Sequence, residues 1–216
     1  MSGTAHPASI SIAVEVPVID HASDPVHAAD PPADPAALAA SWLPGPDEDR
    51  ILMTLSTVSP EGVPHARTVM LSDFDGASFS FHTDASSRKV ADLAVNPRVA
   101  LTILWPGFTR QLVVEGLVTR VSDASAARAY ARRSPYLRQL AWVNTPEVAA
   151  QPLAAREEGW ARFAAAHPDP EPPAGWVGFA VRPERWLFWV SHPGAPSRRI
   201  EYTPSAPGWS ARPLPG

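Results

Sequence analysis

The chain has 216 residues, an apolar fraction of 45% and a formal charge of −4, from 18 Lys and Arg against 22 Asp and Glu. These values are typical of one globular domain with a substantial core, and the slight negative charge gives no general attraction to nucleic acid. The absence of cysteine excludes disulfides, thiolate metal sites and a cysteine nucleophile. Because no apolar run reaches about 18 residues and the N-terminus lacks a signal-peptide pattern, we expect a cytoplasmic protein without a membrane partner.

The N-terminal part of the sequence divides into a tail and a first helix. Residues 1–31 mix Ala, Ser, Asp, His and Pro without periodicity, which predicts a flexible tail. The folded domain is predicted to occupy residues 32–216. Its first helix is expected after the N-cap Asp34, with Pro35 at the first helical position, and to stop at Pro44-Gly45-Pro46.

From Ile51 the pattern changes to strands joined by turns that contain Gly or Pro. Five strands are predicted, at residues 51–58, 64–72, 77–83, 99–105 and 111–121. A helix is predicted between the third and fourth strands, over residues 86–95, and it should end at Asn96-Pro97. An antiparallel meander with one crossing helix indicates a small barrel.

The second half of the chain predicts helices first and strands afterwards. Helices are predicted at residues 123–132, 135–142 and 153–166, followed by a proline-dense extended connection at 167–173. Strands are predicted at 176–182 and 186–190, with a final hairpin from 198–202 and 209–212. The predicted fold class is therefore α+β, mainly β, with peripheral helices.

Polar motifs interrupt the apolar pattern between Arg67 and Gln111. Arg67 lies in a strand-like segment, and Arg88-Lys89 lies at a turn-helix junction. A guanidinium can bind phosphate through two parallel hydrogen bonds, and an adjacent ammonium adds a point charge. The Gln111 amide, which interrupts an apolar strand, can both donate to and accept from a flavin edge. These residue types suit a phosphorylated aromatic cofactor such as FMN.

Several short motifs follow one another along this region and beyond it. They are Arg67-x-Val69, Phe81-His82-Thr83, Ser87-Arg88-Lys89, Leu93-Ala94-x-Asn96-Pro97, Trp105-Pro106, Arg110-Gln111-x-x-x-Glu115-Gly116 and Phe188-Trp189. Together they resemble the pyridoxamine 5'-phosphate oxidase family over about residues 32–216. The resemblance implies a split β-barrel of six or more antiparallel strands, with a C-terminal segment that helps to form a homodimer. It also implies one FMN at each of two interface sites.

The resemblance assigns cofactor-binding residues in two groups. The phosphate side includes Arg67, Thr83, Arg88 and Lys89, and the cofactor-binding segment of the second strand continues from Arg67 through Thr68, Val69 and Met70. The second group, which matches positions that approach the flavin ring from the partner subunit, is Gln111, Trp189 and Arg199.

The residues on the substrate side depart from the family pattern. Ser72 stands where the family has a Lys, and Ala195-Pro196-Ser197 stands where the family has Arg-x-His. Tyr130 matches a tyrosine that binds the substrate phosphate, but the family's following arginine and serine positions carry Ser134 and Arg138. The predicted substrate-binding residues are therefore Ser72, Tyr130, Ser134 and Ser197. Because these changes remove charge-assisted contacts, we expect weakened recognition of a phosphate ester and a natural substrate other than pyridoxine phosphate.

The resemblance implies an FMN-dependent oxidase that takes hydride from a C–N bond or a dihydro nitrogen heterocycle and is reoxidised by O2. Ser in place of the Lys also resembles the phenazine-biosynthesis branch of the family, although the loss of Arg-x-His departs from that branch too. His192, just beyond the Phe188-Trp189 motif, is a candidate catalytic group, and no His pair has metal-ligand spacing.

Two alternatives stay open. One is a genuine pyridoxamine 5'-phosphate oxidase that uses displaced arginines such as Arg133, Arg138 or Arg198. The other is a barrel that binds flavin, haem or a deazaflavin without turnover.

Overall fold

The structure is a computed structural model that describes residues 21–45, 51–107 and 109–216. After a short 3-10 helix, Pro25–His27, this part of the chain forms six α-helices and nine β-strands. The helices are α1 (Pro35–Trp42), α2 (Arg88–Val95), α3 (Asp123–Ala131), α4 (Pro135–Val143), α5 (Pro146–Ala149) and α6 (Leu153–Ala166). The strands are β1 (Leu52–Val58), β2 (Pro64–Met70), β3 (Asp73–Phe74), β4 (Phe79–Asp84), β5 (Arg98–Leu104), β6 (Arg110–Arg120), β7 (Trp176–Val190), β8 (Arg198–Pro204) and β9 (Trp209–Pro215).

All pairings in the sheet are antiparallel, and the strand order is β2-β1-β5-β6-β7-β4-β3. β8 pairs with β7, and β9 pairs with β8. The first part of β7 pairs with β4 and its last part with β8, while β6 pairs with β7 on the other edge. The sheet therefore branches at β7, and the predicted split β-barrel with peripheral helices is confirmed.

Two predicted strands, at 176–182 and 186–190, form the single strand β7. The register between β6 and β7 shifts between Glu115 and Gly116, opposite Pro183. Pro183 has no N–H to donate, and a bulge is where a sheet tolerates proline, so β7 continues through it. Gly116 allows the close approach: a Cβ there would lie 2.1 Å from the Arg182 carbonyl oxygen.

The core lies between the inner face of the sheet and α1. Trp42 of α1 packs edge-on against Phe188 and Trp105, with ring centroids 5.1 and 5.5 Å apart. The largest fully buried side chains are Trp186, Tyr130, Tyr202, Phe79, Phe81, Phe188, Met53, Leu55, Leu101, Ile103, Leu112 and Ile200. Alternate residues of the strands supply most of them, as expected when one face of a sheet is buried.

Residues 21–31, which belong to the predicted flexible tail, contact the sheet. Val26 is fully buried, and the Asp24 carboxylate accepts a hydrogen bond from Arg110 Nε at 2.8 Å and forms an ion pair with Arg110 Nη2 at 2.5 Å. Arg110 also lies over the Trp42 ring, 5.0 Å from its centroid. A buried acid paired with an arginine fixes this segment in a way that composition does not reveal. The remainder of the predicted tail, residues 1–20, lies outside the described residues.

The helices agree closely with the predicted ones, except for α5, which was not predicted. Thr145 is its N-cap, and the Thr145 hydroxyl accepts a hydrogen bond from the Val148 N–H at 3.3 Å. None of the helices in the described ranges has both the length and the apolar content to cross a membrane.

Candidate functional site

A basic cluster forms where β2, β4 and the N-terminus of α2 meet. Arg67 lies in the middle of β2, opposite Leu55 of β1, and Thr83 lies near the end of β4. Arg88 and Lys89 begin α2. The structure therefore brings together the predicted residues of the phosphate side, which come from three different elements. We call Arg67, Thr83, Ser87 and Lys89 the basic cluster.

The Arg67 guanidinium is held from behind by β1 and α2. It donates to the Leu55 carbonyl at 3.0 Å and to the Thr57 hydroxyl at 2.8 Å, and it lies 3.5 Å from the Asp92 carboxylate. Burial lowers the pKa of Arg67, and the Asp92 charge opposes that shift. These contacts fix the orientation of the guanidinium, and a fixed orientation is needed to bind an anion in a defined position.

Asp92 is a site residue that sequence reasoning missed. It is buried on α2 and accepts from the Thr57 hydroxyl at 2.6 Å and from His65 Nδ1 at 3.0 Å. The hydrogen bond from Thr57, and next that from His65, lower the pKa of the Asp92 carboxyl. The available signal was a charged residue three positions after Lys89 in a helix that must pack on the sheet.

Lys89 carries the second cation of the basic cluster. Its ammonium donates to the Thr83 hydroxyl at 2.9 Å, and that hydroxyl lies 3.3 Å from the Ser87 hydroxyl. Burial, and next the charge of Arg67, lower the pKa of Lys89. Ser87 is the N-cap of α2, yet its side chain makes no capping hydrogen bond. This hydroxyl was also missing from the predicted site.

The basic cluster has the charge and the hydrogen-bond donors that a phosphate group needs. Lys89 is half-buried and makes no ion pair within the described ranges, and it lies beside a second cation that lowers its pKa. A bound dianion would offset both the cost of burying the Lys89 charge and its repulsion from Arg67. The Arg88 and Lys89 N–H groups, in the first turn of α2, would add hydrogen bonds to the same group. Arg88 is exposed at this helix start, beside the cluster.

The predicted ring-side residues form one row across three strands. Gln111 of β6 is directly opposite Trp189 of β7, and Trp189 is directly opposite Arg199 of β8. Residues in direct register share a face, so these three side chains are neighbours. Arg199 Nε is buried and has no hydrogen-bond partner among the residues that the structure describes. We call these three residues the outer row.

The outer row and the basic cluster lie on opposite faces of the sheet. Arg67 is in register with Leu55, which is in register with the buried Leu101, so Arg67 faces inward. Gln111 is in register with Leu104 of β5. Leu104 is three residues from the inward Leu101, an odd number, so Leu104 and Gln111 both face outward. Of the other predicted residues on β2, Val69 faces inward and the adjacent Thr68 and Met70 face outward. One chain therefore does not bring the two predicted groups together.

Ser72, the residue in place of the family lysine, pairs with His82. The Ser72 hydroxyl lies 2.9 Å from His82 Nδ1, and the His82 ring stacks on Trp176 with centroids 5.4 Å apart. Burial, and next the charge of Arg133, lower the pKa of His82 to about 4. The pair is therefore neutral near pH 7.

The other predicted substrate residues make internal contacts. The Tyr130 hydroxyl is buried and donates to the Arg138 carbonyl at 2.9 Å. Ser134 is the N-cap of α4, where its hydroxyl accepts from the Leu137 N–H at 3.4 Å. Ser197 precedes β8 and lies near the C-terminal Gly216.

His192, the catalytic candidate, follows β7. Its Nδ1 accepts from the Gly194 N–H at 3.0 Å, and its ring contacts His27 edge-on with centroids 5.0 Å apart. No group of three or more His, Asp or Glu that could bind a metal occurs in the described part of the chain.

The three displaced arginines have different environments. Arg133 lies over the Trp176 ring, 4.6 Å from its centroid. Arg138 pairs with Asp169. Arg198 donates to the carbonyls of His27 and Ala28, at 3.1 and 2.7 Å.

Comparison with known families and sequences gives a consistent result. The family model described as "Pyridoxamine 5'-phosphate oxidase" matches residues 48–190. A pyridoxine/pyridoxamine 5'-phosphate oxidase of Rhodopseudomonas palustris is 37% identical over 195 residues, which are 84% of this chain and 90% of that protein. One of Rubrobacter xylanophilus is 37% identical over 163 residues, 73% of each chain.

Comparison with solved structures shows the same fold. PhzG from Burkholderia lata, solved in complex with tetrahydrophenazine-1-carboxylic acid, has a TM-score of 0.72 at 20% identity, covering 93% of this chain and 99% of that one. A pyridoxamine 5'-phosphate oxidase-related, FMN-binding protein from Nostoc punctiforme has a TM-score of 0.62 at 20% identity, covering 76% and 87%.

Proposed function

Because the chain belongs to the pyridoxamine 5'-phosphate oxidase family, we propose that it is a cytoplasmic, homodimeric, FMN-dependent oxidase. Its substrate class is a C–N compound or a dihydro nitrogen heterocycle, such as a phenazine-type metabolite, that carries no phosphate ester. The reaction removes a hydride and a proton from the substrate, and O2 is reduced to hydrogen peroxide.

Arg67, Thr83, Ser87 and Lys89 would bind the cofactor phosphate, with Arg88 at the edge of the cluster. Gln111 and Arg199 would hydrogen-bond to the ring, beside Trp189. The bound cofactor supplies the hydride-accepting ring and the reaction with dioxygen. The protein residues contribute orientation and exclude water.

The dimer is part of the proposal because the basic cluster faces inward and the outer row faces outward. A second copy can present its outer row to the cluster of the first. This arrangement would give two equal sites related by a twofold axis, which is the usual symmetry of homodimers.

The observation that carries the proposed substrate class is the Ser72–His82 pair, with its 2.9 Å contact and a His82 pKa of about 4. It puts a neutral pair where the family resemblance implies a lysine charge. The hydroxyls of Tyr130 and Ser134 are already engaged in internal hydrogen bonds. A phosphate ester would therefore gain fewer charge-assisted contacts here, whereas an apolar ring system would lose nothing.

The test is anaerobic reduction of the FMN-loaded protein by candidate substrates, monitored as the loss of visible flavin absorption. Pyridoxine 5'-phosphate is compared with unphosphorylated amines and reduced nitrogen heterocycles at equal concentration. Faster bleaching by an unphosphorylated compound supports the proposal. Bleaching by pyridoxine 5'-phosphate alone contradicts the substrate class, and bleaching by none of them favours a carrier without turnover.

Oxidation of pyridoxine 5'-phosphate itself is the second candidate, favoured by Arg133. This residue lies beside the matched substrate positions, over Trp176, and close enough to His82 to lower its pKa. If Arg133 replaces the missing charge, Arg133→Gln should raise the KM for pyridoxine 5'-phosphate about tenfold or more and leave kcat nearly unchanged.

A further inference from the structure

A cavity of 150 Å³ lies between α3 and the β3–β4 edge of the sheet. Most of the side chains that line it are polar: Asp73, Ser80, His82, Val121, Ser125, Arg128, Ala129 and Arg132. A water molecule takes about 30 Å³ of liquid, and pockets for drug-sized ligands begin at about 300 Å³. The cavity therefore has room for one small polar group and not for a whole metabolite.

The charge in the cavity favours an anion. Ser125 and Arg128 of α3 and Arg132, the C-cap of that helix, are spaced three and four residues apart, so they lie on one side of it. Arg132 lies 3.3 Å from Asp73, while Arg128 forms no ion pair with any described residue. With His82 neutral, two guanidinium groups face one carboxylate, and the cavity has a net positive charge.

Unused hydrogen-bonding groups in the cavity point to the same class of ligand. The hydroxyls of Ser80 and Ser125 have no hydrogen-bond partner in the described ranges. The His82 ring also lines the cavity, but its Nε2 is buried beside Gly178 and Val121 and has no hydrogen-bond partner among those residues. Hydroxyls can donate to an anionic oxygen.

This cavity is separate from the basic cluster. Along β4, Ser80 and His82 alternate with Phe81 and Thr83, so the two pairs point to opposite faces of the sheet. The cavity therefore lies on the outer face and the basic cluster on the inner face. Tyr130, a matched substrate position, and the nearby Arg133 contact Trp176 and do not line the cavity. His82, which does line it, stacks on the same Trp176 and contacts Ser72.

We propose that the cavity binds a phosphate group between the guanidinium groups of Arg128 and Arg132 and the hydroxyls of Ser80 and Ser125. The group is either free phosphate or the phosphate of a larger ligand whose remainder lies outside the cavity. Guanidinium forks and hydroxyls are the donors that phosphate oxygens pair with most often. The proposal depends on neither FMN binding nor turnover.

Binding is measured by calorimetric titration of the full-length protein, loaded with one equivalent of FMN per chain, with inorganic phosphate and, separately, with phenyl phosphate. Arg128→Gln and Ser125→Ala should each weaken binding, Arg128→Gln by about tenfold or more. The matched control is Arg162→Gln, an exposed arginine paired with Glu158 on α6, which should bind as the unaltered protein does. Tighter binding of phenyl phosphate identifies a larger ligand, and equal binding identifies free phosphate.

Lys89→Met separates this cavity from the basic cluster. Phosphate binding that survives Lys89→Met and is weakened by Arg128→Gln supports the proposal. Phosphate binding that is lost in Lys89→Met and unchanged in Arg128→Gln belongs to the cluster and overturns it, as does the absence of any phosphate binding.

The His82 ring gives an independent readout by NMR. Burial, Arg133 and Arg132 lower its pKa to about 4, and Asp73 raises it slightly. A phosphate beside the ring should raise that pKa, because a nearby anion favours the charged form. An unchanged His82 titration in saturating phosphate would contradict binding in this cavity.

Discussion

Replacing Lys89 by methionine removes one charge of the basic cluster and keeps most of the volume of the side chain. In the structure the Lys89 ammonium donates to the Thr83 hydroxyl at 2.9 Å and lies near the Arg67 charge. Methionine fills the same half-buried space, so the fold should be retained. The variant therefore measures what the charge contributes to cofactor binding.

The expected loss follows from one charge-assisted hydrogen bond to phosphate, about 1.5–3 kcal/mol, or about 10- to 150-fold in Kd. The lower part of this range is the better expectation, since Lys89 is only half-buried and water screens part of its charge. The removal of a cation also relieves repulsion on Arg67, which offsets a little of the loss.

The assay compares FMN with riboflavin, which has the same ring system and no phosphate. Quenching of flavin fluorescence gives both dissociation constants for Lys89→Met and for the unaltered protein. We expect a loss of at least about tenfold for FMN and a change within about twofold for riboflavin. An equal loss for both ligands, or none for FMN, would refute the assignment of Lys89 to the phosphate.

Three other predictions follow from the structure. The pKa of Asp92 is lowered in the folded state, so its stabilising contribution is present above the ordinary aspartate pKa of about 3.9 and is lost as pH falls below that value. Asp92→Asn should therefore remove this part of the acid dependence of stability, measured by urea unfolding at a series of pH values. An unchanged pH profile in the variant would contradict the assigned role of Asp92. Asp24→Asn should weaken the attachment of residues 21–31 and speed hydrogen exchange at Val26 and His27 while the sheet amides keep their protection; equal protection in both proteins would show that the pair with Arg110 is dispensable. Gly116→Ala should lower the free energy of unfolding by about 1–3 kcal/mol, because the new Cβ would meet the Arg182 carbonyl. Gly159→Ala, where the new Cβ would have no atom within 4 Å, should be neutral or stabilising by up to about 1 kcal/mol. The same shift of the melting temperature for both variants in calorimetry would contradict the steric argument.

Local sequence features predicted most of the helices well. Asp34 and Pro35 begin α1 as expected, and α6 was predicted at its observed bounds, residues 153–166. These features act within a few residues of the chain, which is why a sequence reveals them. The continuous β7 was not predicted, because it depends on how β6 shifts register opposite Pro183. That shift is a relation between two segments that are distant in the sequence.

The residues of the basic cluster, for which a role in cofactor binding is proposed, were predictable to a similar extent. Arg67, Thr83 and Lys89 were identified from their motifs, and the structure places them together. Asp92, Thr57 and Ser87 were missed, because their roles arise from contacts between elements. The packing of Val26 was missed for the same reason: it rests on the Asp24–Arg110 pair, 86 residues apart in sequence.

The opposite orientations of the basic cluster and the outer row have a genetic consequence. In the proposed dimer each catalytic centre draws its two halves from different polypeptides. A chain with a damaged cluster and a chain with a damaged row should therefore complement each other, since their heterodimer contains one centre with both halves intact. Two individually inactive alleles expressed in the same cell could restore activity.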